Sequence, residues 1–502
     1  MPAWALLGVG VAAFALGLAA LSDDRGVFLG AASVVGLFGA VLVLYRPHVG
    51  VLVIMSTMLL SYPDALRGVG PFTINNMLGA LLLVLLVFDL YRSHDYWLFR
   101  EPEIRLLLVL SAWLIFIALI SDLFLPDKRL LPAVARSKLT GPAFYGNNDD
   151  TTRWMFELVS RLVFVIFFLR WIRTPNQLRS VLFLLAFCIA IVLPTLGPDL
   201  SRGEDNYRIT SKAVGWASNL NRFAFMMNVG IALFIYLAAV VRPLLGKIFF
   251  LLLAAGSVPL VLLSASRSGF IGLGIVAVMI LRGAQIPRRW KIATALPGLA
   301  LGILAFTFAL TDAHRERLLN LNPFASTEVN AGPREEGTRS TEQRVETIEN
   351  AVSIIAAYPI TGVGLSNFRW VNALENGTYK PPHNSYIWAL SEGGLPALVL
   401  YLFIFGALYQ RIQRLRPKSS EHPTLPYLAD WLNLYLVLFL FFSIFADVWI
   451  EVHLYFMIAF AILLSRWAED EELRGRGLPG SIGGTAAARR AASRSLYQPA
   501  TQ

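Results

Sequence analysis

The feature that most constrains this chain is the recurrence of apolar runs about 20 residues long, the length a helix needs to cross a ~30 Å hydrocarbon core. The run from Ala3 to Leu21 is an early one. Lipid gives backbone groups no hydrogen-bond partner, so such runs must be helices; a barrel would show short alternating strands instead. The sequence therefore predicts an all-α polytopic integral membrane protein. On the ~20-residue criterion about fourteen transmembrane helices are expected, near 3–21, 28–45, 50–62, 74–91, 105–125, 155–173, 178–196, 222–241, 246–264, 268–282, 291–311, 384–409, 430–446 and 449–466. Composition agrees: 56% of the residues are hydrophobic and 15% charged, more apolar than a soluble chain of 502 residues.

Orientation follows from the short loops. Arg92, Arg100 and Arg105 share one, and Arg170, Arg173 and Arg179 another. Arg242 and Lys247 flank a third, Arg282, Arg288, Arg289 and Lys291 crowd a fourth, and Arg411, Arg414, Arg416 and Lys418 a fifth. With fourteen spans all five loops and both termini fall on one side, which the positive-inside rule makes cytoplasmic. The net charge of +10 then belongs to basic cytoplasmic loops and anionic membrane lipids rather than to nucleic acid. The first run lacks a basic n-region and a small-residue cleavage site, and is expected to be a retained span.

Three long segments face outward, 126–154, 197–221 and 312–383. The chain divides on this basis into amino-terminal helices (1–154), core helices with Arg-bearing outer turns (155–311), a large outer loop (312–383), carboxy-terminal helices (384–466) and a cytoplasmic tail (467–502) expected to be disordered. In the large loop, Ser340 followed by Gln343 fits a capping box. Val345, Ile348, Val352 and Ile355 then form one helical stripe, Pro359 ends the helix, and Gly362 and Gly364 make a tight turn. This predicts an amphipathic helix on the outer surface of the bundle, a pattern shared by lids and by plain surface helices.

The lone cysteine, Cys188, lies in an apolar run and reads as a small core residue. No Cys/His cluster has zinc spacing, and no Gly-rich phosphate loop or G-x-S-x-G elbow is present. Neither a metal nor a cofactor is expected.

Polar groups at the membrane are costly and are site candidates by default. His383, in Pro381-Pro382-His383-Asn384-Ser385-Tyr386, stands at the mouth of a span. A neutral imidazole there suits a general base, and equally an interfacial cap or anchor. Arg267, in Ser264-Ala265-Ser266-Arg267-Ser268-Gly269, sits in a short outer turn where it could grip phosphate, with Ser266 and Ser268 as added donors, or snorkel toward headgroups. Arg344 is expected to open the amphipathic helix, a poor place for a cation but a good one to meet an anion; an exposed surface Arg is the plain alternative. Asn219, Asn221 and Arg222 enter a span at its outer end, where they fit glycan or phosphate contact, while capping accounts more simply for an Asn there. Glu392, two and a half turns into the span after His383, needs an internal partner such as an Arg.

These residues carry a likeness. Asn219-Leu220-Asn221-Arg222-Phe223-Ala224, Ser266-Arg267-Ser268-Gly269, Arg344 with Tyr358-Pro359-Ile360-Thr361-Gly362-Val363-Gly364, and His383-Asn384-Ser385-Tyr386 running to Glu392-Gly393-Gly394 occur in that order. The chain thereby resembles the O-antigen ligase and O-antigen polymerase family of bacterial membrane glycosyltransferases over about 170–400. The resemblance implies a GT-C-like membrane fold in the inner (cytoplasmic) membrane, with the site facing the periplasm. It implies transfer of a glycan from undecaprenyl pyrophosphate to an acceptor sugar hydroxyl, on lipid A core or a growing polysaccharide. His383 would take the acceptor proton. Arg267 and Arg344 would hold the pyrophosphate, without a metal. Arg222, Asn219, Asn221, Ser266, Ser268, Asn384 and Tyr386 would bind substrate. Displacement at the anomeric carbon would invert it. Fourteen spans and a basic tail exceed the family's simplest pattern.

Ligation to lipid A core is the first reading, polymerisation of lipid-linked repeats for O-antigen or exopolysaccharide the second, and transfer to protein Ser or Thr the third. A lipid-linked glycan transporter is the reading from another class. It fits less well, because transporters show internal repeats and midplane polar residues at broken helices, whereas these polar groups gather at one face.

Overall fold

The computed structural model describes residues 39–60, 74–125, 150–193, 196–198, 209–211, 219–283, 288–310, 315, 318, 334–418 and 424–475. The described chain is helical apart from one short antiparallel ladder, β1 (Leu196–Pro198) on β2 (Ile209–Ser211), inside the second predicted outer segment. Its helices are α1 (Pro47–Leu59), α2 (Ile74–Ser93), α3 (Pro102–Ile120), α4 (Asp150–Trp171), α5 (Pro175–Ala190), α6 (Leu220–Val240) and α7 (Leu244–Leu263). They continue with α8 (Arg267–Arg282), α9 (Arg288–Leu304), α10 (Arg334–Ala357), α11 (Phe368–Asn376), α12 (Ser385–Lys418), α13 (Leu425–Phe442) and α14 (Val452–Gly475).

Every predicted span from 50–62 onward coincides with one of these helices. Eight described helices are long and apolar enough to cross a membrane, and α1 and α5 are shorter apolar helices. The chain is a multi-pass membrane protein. The span at 3–21 and most of 28–45 lie outside the described residues.

The chain forms two compact units. The first comprises residues 1–96 and 166–185, and the second 97–165 and 186–502. In the first, Arg170 is buried and bonds Asp89, Asp95 (3.2 Å) and Ser93 (2.8 Å).

The second unit is built around α6 and α14, whose apolar side chains are buried nearly all round, as in helices at the centre of a bundle. Phe225 of α6 packs on Tyr435, Phe439 and Phe442 of α13. Close approach of α8 to α6 depends on Gly269: a Cβ there would stand 2.5 Å from that of Ala224. Asn228 fastens the same crossing, its Nδ2 donating to the carbonyls of Ala224 and Gly269, both at 3.0 Å.

Two features of the large predicted loop differ from expectation. Helix α10 begins at Arg334, not at Ser340, so Ser340 is not at its start and Arg344 lies in the helix interior. The buried face of α10 is Thr347, Ala351 and Ile354, while Val345 and Val352 of the predicted stripe are exposed. Small Thr and Ala side chains let the helix lie close against its neighbours α11 and α12, and that contact outweighs the larger apolar stripe. The carboxy-terminal segment also differs at its start, for α14 continues helical to Gly475 and buries Asp470. Residues beyond 475 lie outside the described ones.

Candidate active site at the His383 end of the second unit

Pro359-Ile360-Thr361-Gly362-Val363-Gly364 ends α10 and lies along a break in α12. At Gly394 the helix leaves helical geometry (φ 67°, ψ −172°). The break frees carbonyls that a continuous helix would use internally. Val363 N–H donates to Ser391 O and Gly364 N–H to Glu392 O, both at 2.8 Å, and Leu395 N–H donates to Pro359 O at 2.9 Å. Trp113 Nε1 takes the Gly393 carbonyl at 2.7 Å. Gly362 (φ +61°) is required twice over: a Cβ would also come within 2.5 Å of the Glu392 carbonyl carbon. The two glycine motifs are therefore halves of one joint. The buried Glu392 carboxyl lies within electrostatic reach of Arg369, while its Oε1 has no hydrogen-bond partner among the described residues.

The segment 378–383 leads to the site, with Thr378 Oγ1 donating to Glu346 at 3.0 Å and Asn372 Nδ2 donating to Lys380 O at 3.4 Å. His383 has φ +52°, in the left-handed region that His visits more readily than most residues. Asn384 then caps α12, its Oδ1 accepting from the N–H groups of Tyr386 and Ile387 at 3.0 Å each. Ser385 is buried and locks the loop between α13 and α14. Its N–H donates to Ser443 O (2.7 Å), its Oγ donates to Ala446 O (2.6 Å), and its Oγ accepts from Val448 N–H (2.9 Å). Tyr386 Oη donates to Leu440 O at 3.0 Å.

That loop carries Asp447, a residue the sequence reading did not single out. Its Oδ2 stands 3.0 Å from His383 Nδ1. Asp447 Oδ1 is buried and accepts no hydrogen bond among the described residues. An Asp in the two-residue gap between predicted spans 430–446 and 449–466 is itself a costly group at the membrane, and that was the signal available for it.

Arg344 reaches this point from α10. Burial lowers its pKa, Asp447 raises it and Arg267 lowers it again, so all three groups lie within electrostatic reach. The guanidinium remains cationic. Arg267 is half-buried at the first turn of α8. Asp447 therefore lies in hydrogen-bond contact with His383 and within electrostatic reach of Arg344, which in turn lies within reach of Arg267.

Of the other predicted residues, Ser266 caps α8 through Gly269 N–H (3.1 Å) and donates to Asn221 Oδ1 (2.8 Å), while Ser268 donates to the same oxygen at 3.3 Å. Asn221 Nδ2 donates to Phe445 O at 3.3 Å. Asn219 is the cap of α6. Arg222 bonds Asp447 O (2.6 Å) and Glu451 (3.0 Å). The contacts of Asn221 and Arg222 brace the loop from 443 to 451. Among the described residues no three His, Cys, Asp or Glu side chains are grouped to hold a metal ion.

In chemical terms the arrangement is an imidazole polarised by Asp447, with the Arg344 guanidinium within electrostatic reach of that carboxylate and Arg267 within reach of Arg344. Asp447 accepts the Nδ1 proton, which leaves Nε2 as the basic nitrogen. The arginines suit an anionic group with phosphate geometry.

No curated protein matches the chain. Residues 249–402 match the family model described as O-antigen ligase. The matched stretch includes the Ser266-Arg267-Ser268-Gly269 turn, Arg344, the joint and His383, and stops short of Asp447. The likeness to O-antigen ligases covers that segment, which is less than half of the chain.

Proposed function

We propose that this protein transfers a glycan from undecaprenyl pyrophosphate to an acceptor sugar hydroxyl at the periplasmic face of the bacterial inner membrane, with lipid A core as the acceptor. The observation that carries this reading is the 3.0 Å contact of His383 Nδ1 with Asp447 in the company of Arg344 and Arg267. His383 Nε2 takes the acceptor hydroxyl proton, and the acceptor oxygen attacks the anomeric carbon. The bond from that carbon to the pyrophosphate oxygen breaks, and undecaprenyl pyrophosphate leaves with the electron pair. Attack opposite the leaving group inverts the anomeric centre. Asp447 holds the ring in the working tautomer and stabilises the imidazolium, the role a buried carboxylate plays beside a catalytic histidine. Arg267 and Arg344 meet the charge that grows on the departing pyrophosphate, the kind of preorganised electrostatic stabilisation that supplies the largest part of many rate enhancements.

The test is product size. The protein in nanodiscs receives one lipid-linked glycan, with and without lipid A core, beside His383→Ala. Transfer only when core is present, lost in the variant, is the expected result. A ladder of longer lipid-linked glycans without core makes the protein a polymerase using the same donor chemistry. Equal products from wild type and His383→Ala would remove the histidine from the reaction.

A further inference from the structure

The loop that presents Asp447 is held by charged groups that the reaction above does not use. Arg222 spans two points of it. One guanidinium nitrogen donates to the Asp447 backbone carbonyl at 2.6 Å, and the other lies 3.0 Å from Glu451 Oε1. Glu451 is in turn shared, for Arg161 stands 3.8 Å from its second oxygen and also donates to the Ile450 carbonyl. Glu157 fixes Arg161 from the preceding turn of α4 at 2.8 Å. Two helices, α4 and α6, thereby converge on a loop of nine residues, 443–451.

The geometry of a guanidinium matters here. Its donors form a rigid planar fork, so engaging a carboxylate with one nitrogen fixes where the other points. In Arg222 that other nitrogen grips the residue whose side chain orients His383. An ammonium on a flexible stem would supply the charge without the fork. A ligand for the donor pyrophosphate would need those nitrogens turned toward substrate, whereas these two are turned to the loop.

We propose that Arg222 and Glu451 are positioning residues: they set the backbone of Asp447 and through it the His383–Asp447 contact, acting on the acceptor-proton side of the reaction rather than on the pyrophosphate. The inference rests on the transferase reading for its kinetic test, but its spectroscopic test does not depend on activity.

The variants are Arg222→Gln, Arg222→Lys and Glu451→Gln in the full-length chain in nanodiscs, with Arg344→Ala for comparison. Two readouts are taken. In transfer assays with the lipid-linked glycan, Arg222→Gln and Glu451→Gln lower kcat by roughly 10- to 100-fold, the scale of a misplaced catalytic group, and leave the donor KM within about twofold, the pattern of an interaction that matters only in the transition state. Arg222→Lys recovers little, because the fork is gone. Arg344→Ala lowers kcat and raises the donor KM together, because its guanidinium holds the pyrophosphate as well as the charge that develops on it. Selective 15N-histidine labelling is practical because the chain has 6 histidines. The His383 signal, identified as the one missing from His383→Ala, shifts in Arg222→Gln in the direction it takes in Asp447→Asn.

A donor KM raised tenfold with an unmoved His383 signal would make Arg222 a pyrophosphate ligand and overturn the proposal. So would activity lost only in step with the folded fraction while the signal stays put, which is the behaviour of a plain structural brace. If wild type transfers no glycan, the transferase reading fails; the histidine signal then still decides whether Arg222 sets the pair.

Discussion

Helix α12 begins at one cluster of charges and ends near another, and the two are built differently. At its far end Arg411 meets Glu103 at 2.7 Å and Glu101 at 2.6 Å, while Arg466 reaches Glu101 at 3.5 Å and lies 3.2 Å over the ring of Trp97. Two arginines answer two glutamates, and Glu103 is 1% exposed. Such a cluster is matched within itself and ties α3, α12 and α14 together. At the His383 end, Arg161, Arg222, Arg267 and Arg344 gather around Asp447, Glu451 and Glu157. There Arg161 and Arg222 brace a loop, while Arg344 lies within electrostatic reach of Asp447 and Arg267. A cluster that only joins helices needs matched charges, whereas charged groups at a site must also be able to meet a ligand.

This contrast can be broken at either end. The largest effect on stability is expected at the far end. Arg411→Ala leaves Glu103 buried without its partner, which costs about 3–5 kcal/mol. Thermal unfolding in detergent should fall accordingly, with the specific activity of the folded fraction kept. Lost activity at unchanged stability would place the far cluster in the reaction. At the site end, Arg344→Ala should lower transfer about 100-fold, the scale of removing one donor that stabilises a developing anion, with little change in unfolding temperature. The smallest effect comes from Glu451, in the loop just before α14. Burial pushes its carboxyl up, but Arg222 and Arg161 outweigh this and hold it below its ordinary 4.5. A depressed carboxyl contributes stability that is present above its unfolded value and lost as pH falls through the folded one. The unfolding temperature should therefore drop as pH is lowered below about 4.5, and Glu451→Gln should flatten that part of the profile. An identical slope in the variant would assign the acid sensitivity to other groups.

The two ends also differ in how far the sequence discloses them. Hydropathy placed the helices from residue 50 onward, and the likeness singled out His383, Arg267 and Arg344. What escaped was the partner that joins them. Asp447 is 64 residues from His383, and no local pattern marks a carboxylate whose purpose is set by another helix. The joint between Pro359–Gly364 and Ser391–Gly394 was visible only as glycines. Left-handed φ values and crossing backbones explain those glycines, but the pairing needs the fold. The start of α10 was misjudged for a local reason. The Ser340 capping pattern lies six residues inside a helix that begins at Arg334, and burial of Thr347 and Ala351 rather than the larger apolar stripe sets its inward face. Asn384 and Ser385 show the same limit from the other side. A motif that resembles substrate contact spends its visible hydrogen bonds on capping α12 and clamping the Asp447 loop.

The most direct test of the account is the rate of transfer from a lipid-linked glycan by Asp447→Asn, in nanodiscs at matched folded concentration. An asparagine keeps the shape but removes the charge that orients and supports the His383 imidazole. The account predicts a loss of about 1,000-fold in kcat, within the range of general-base contributions, with the donor KM little changed. Transfer at the wild-type rate would contradict it, because the His383–Asp447 contact would then be structural and the base would have to be sought elsewhere.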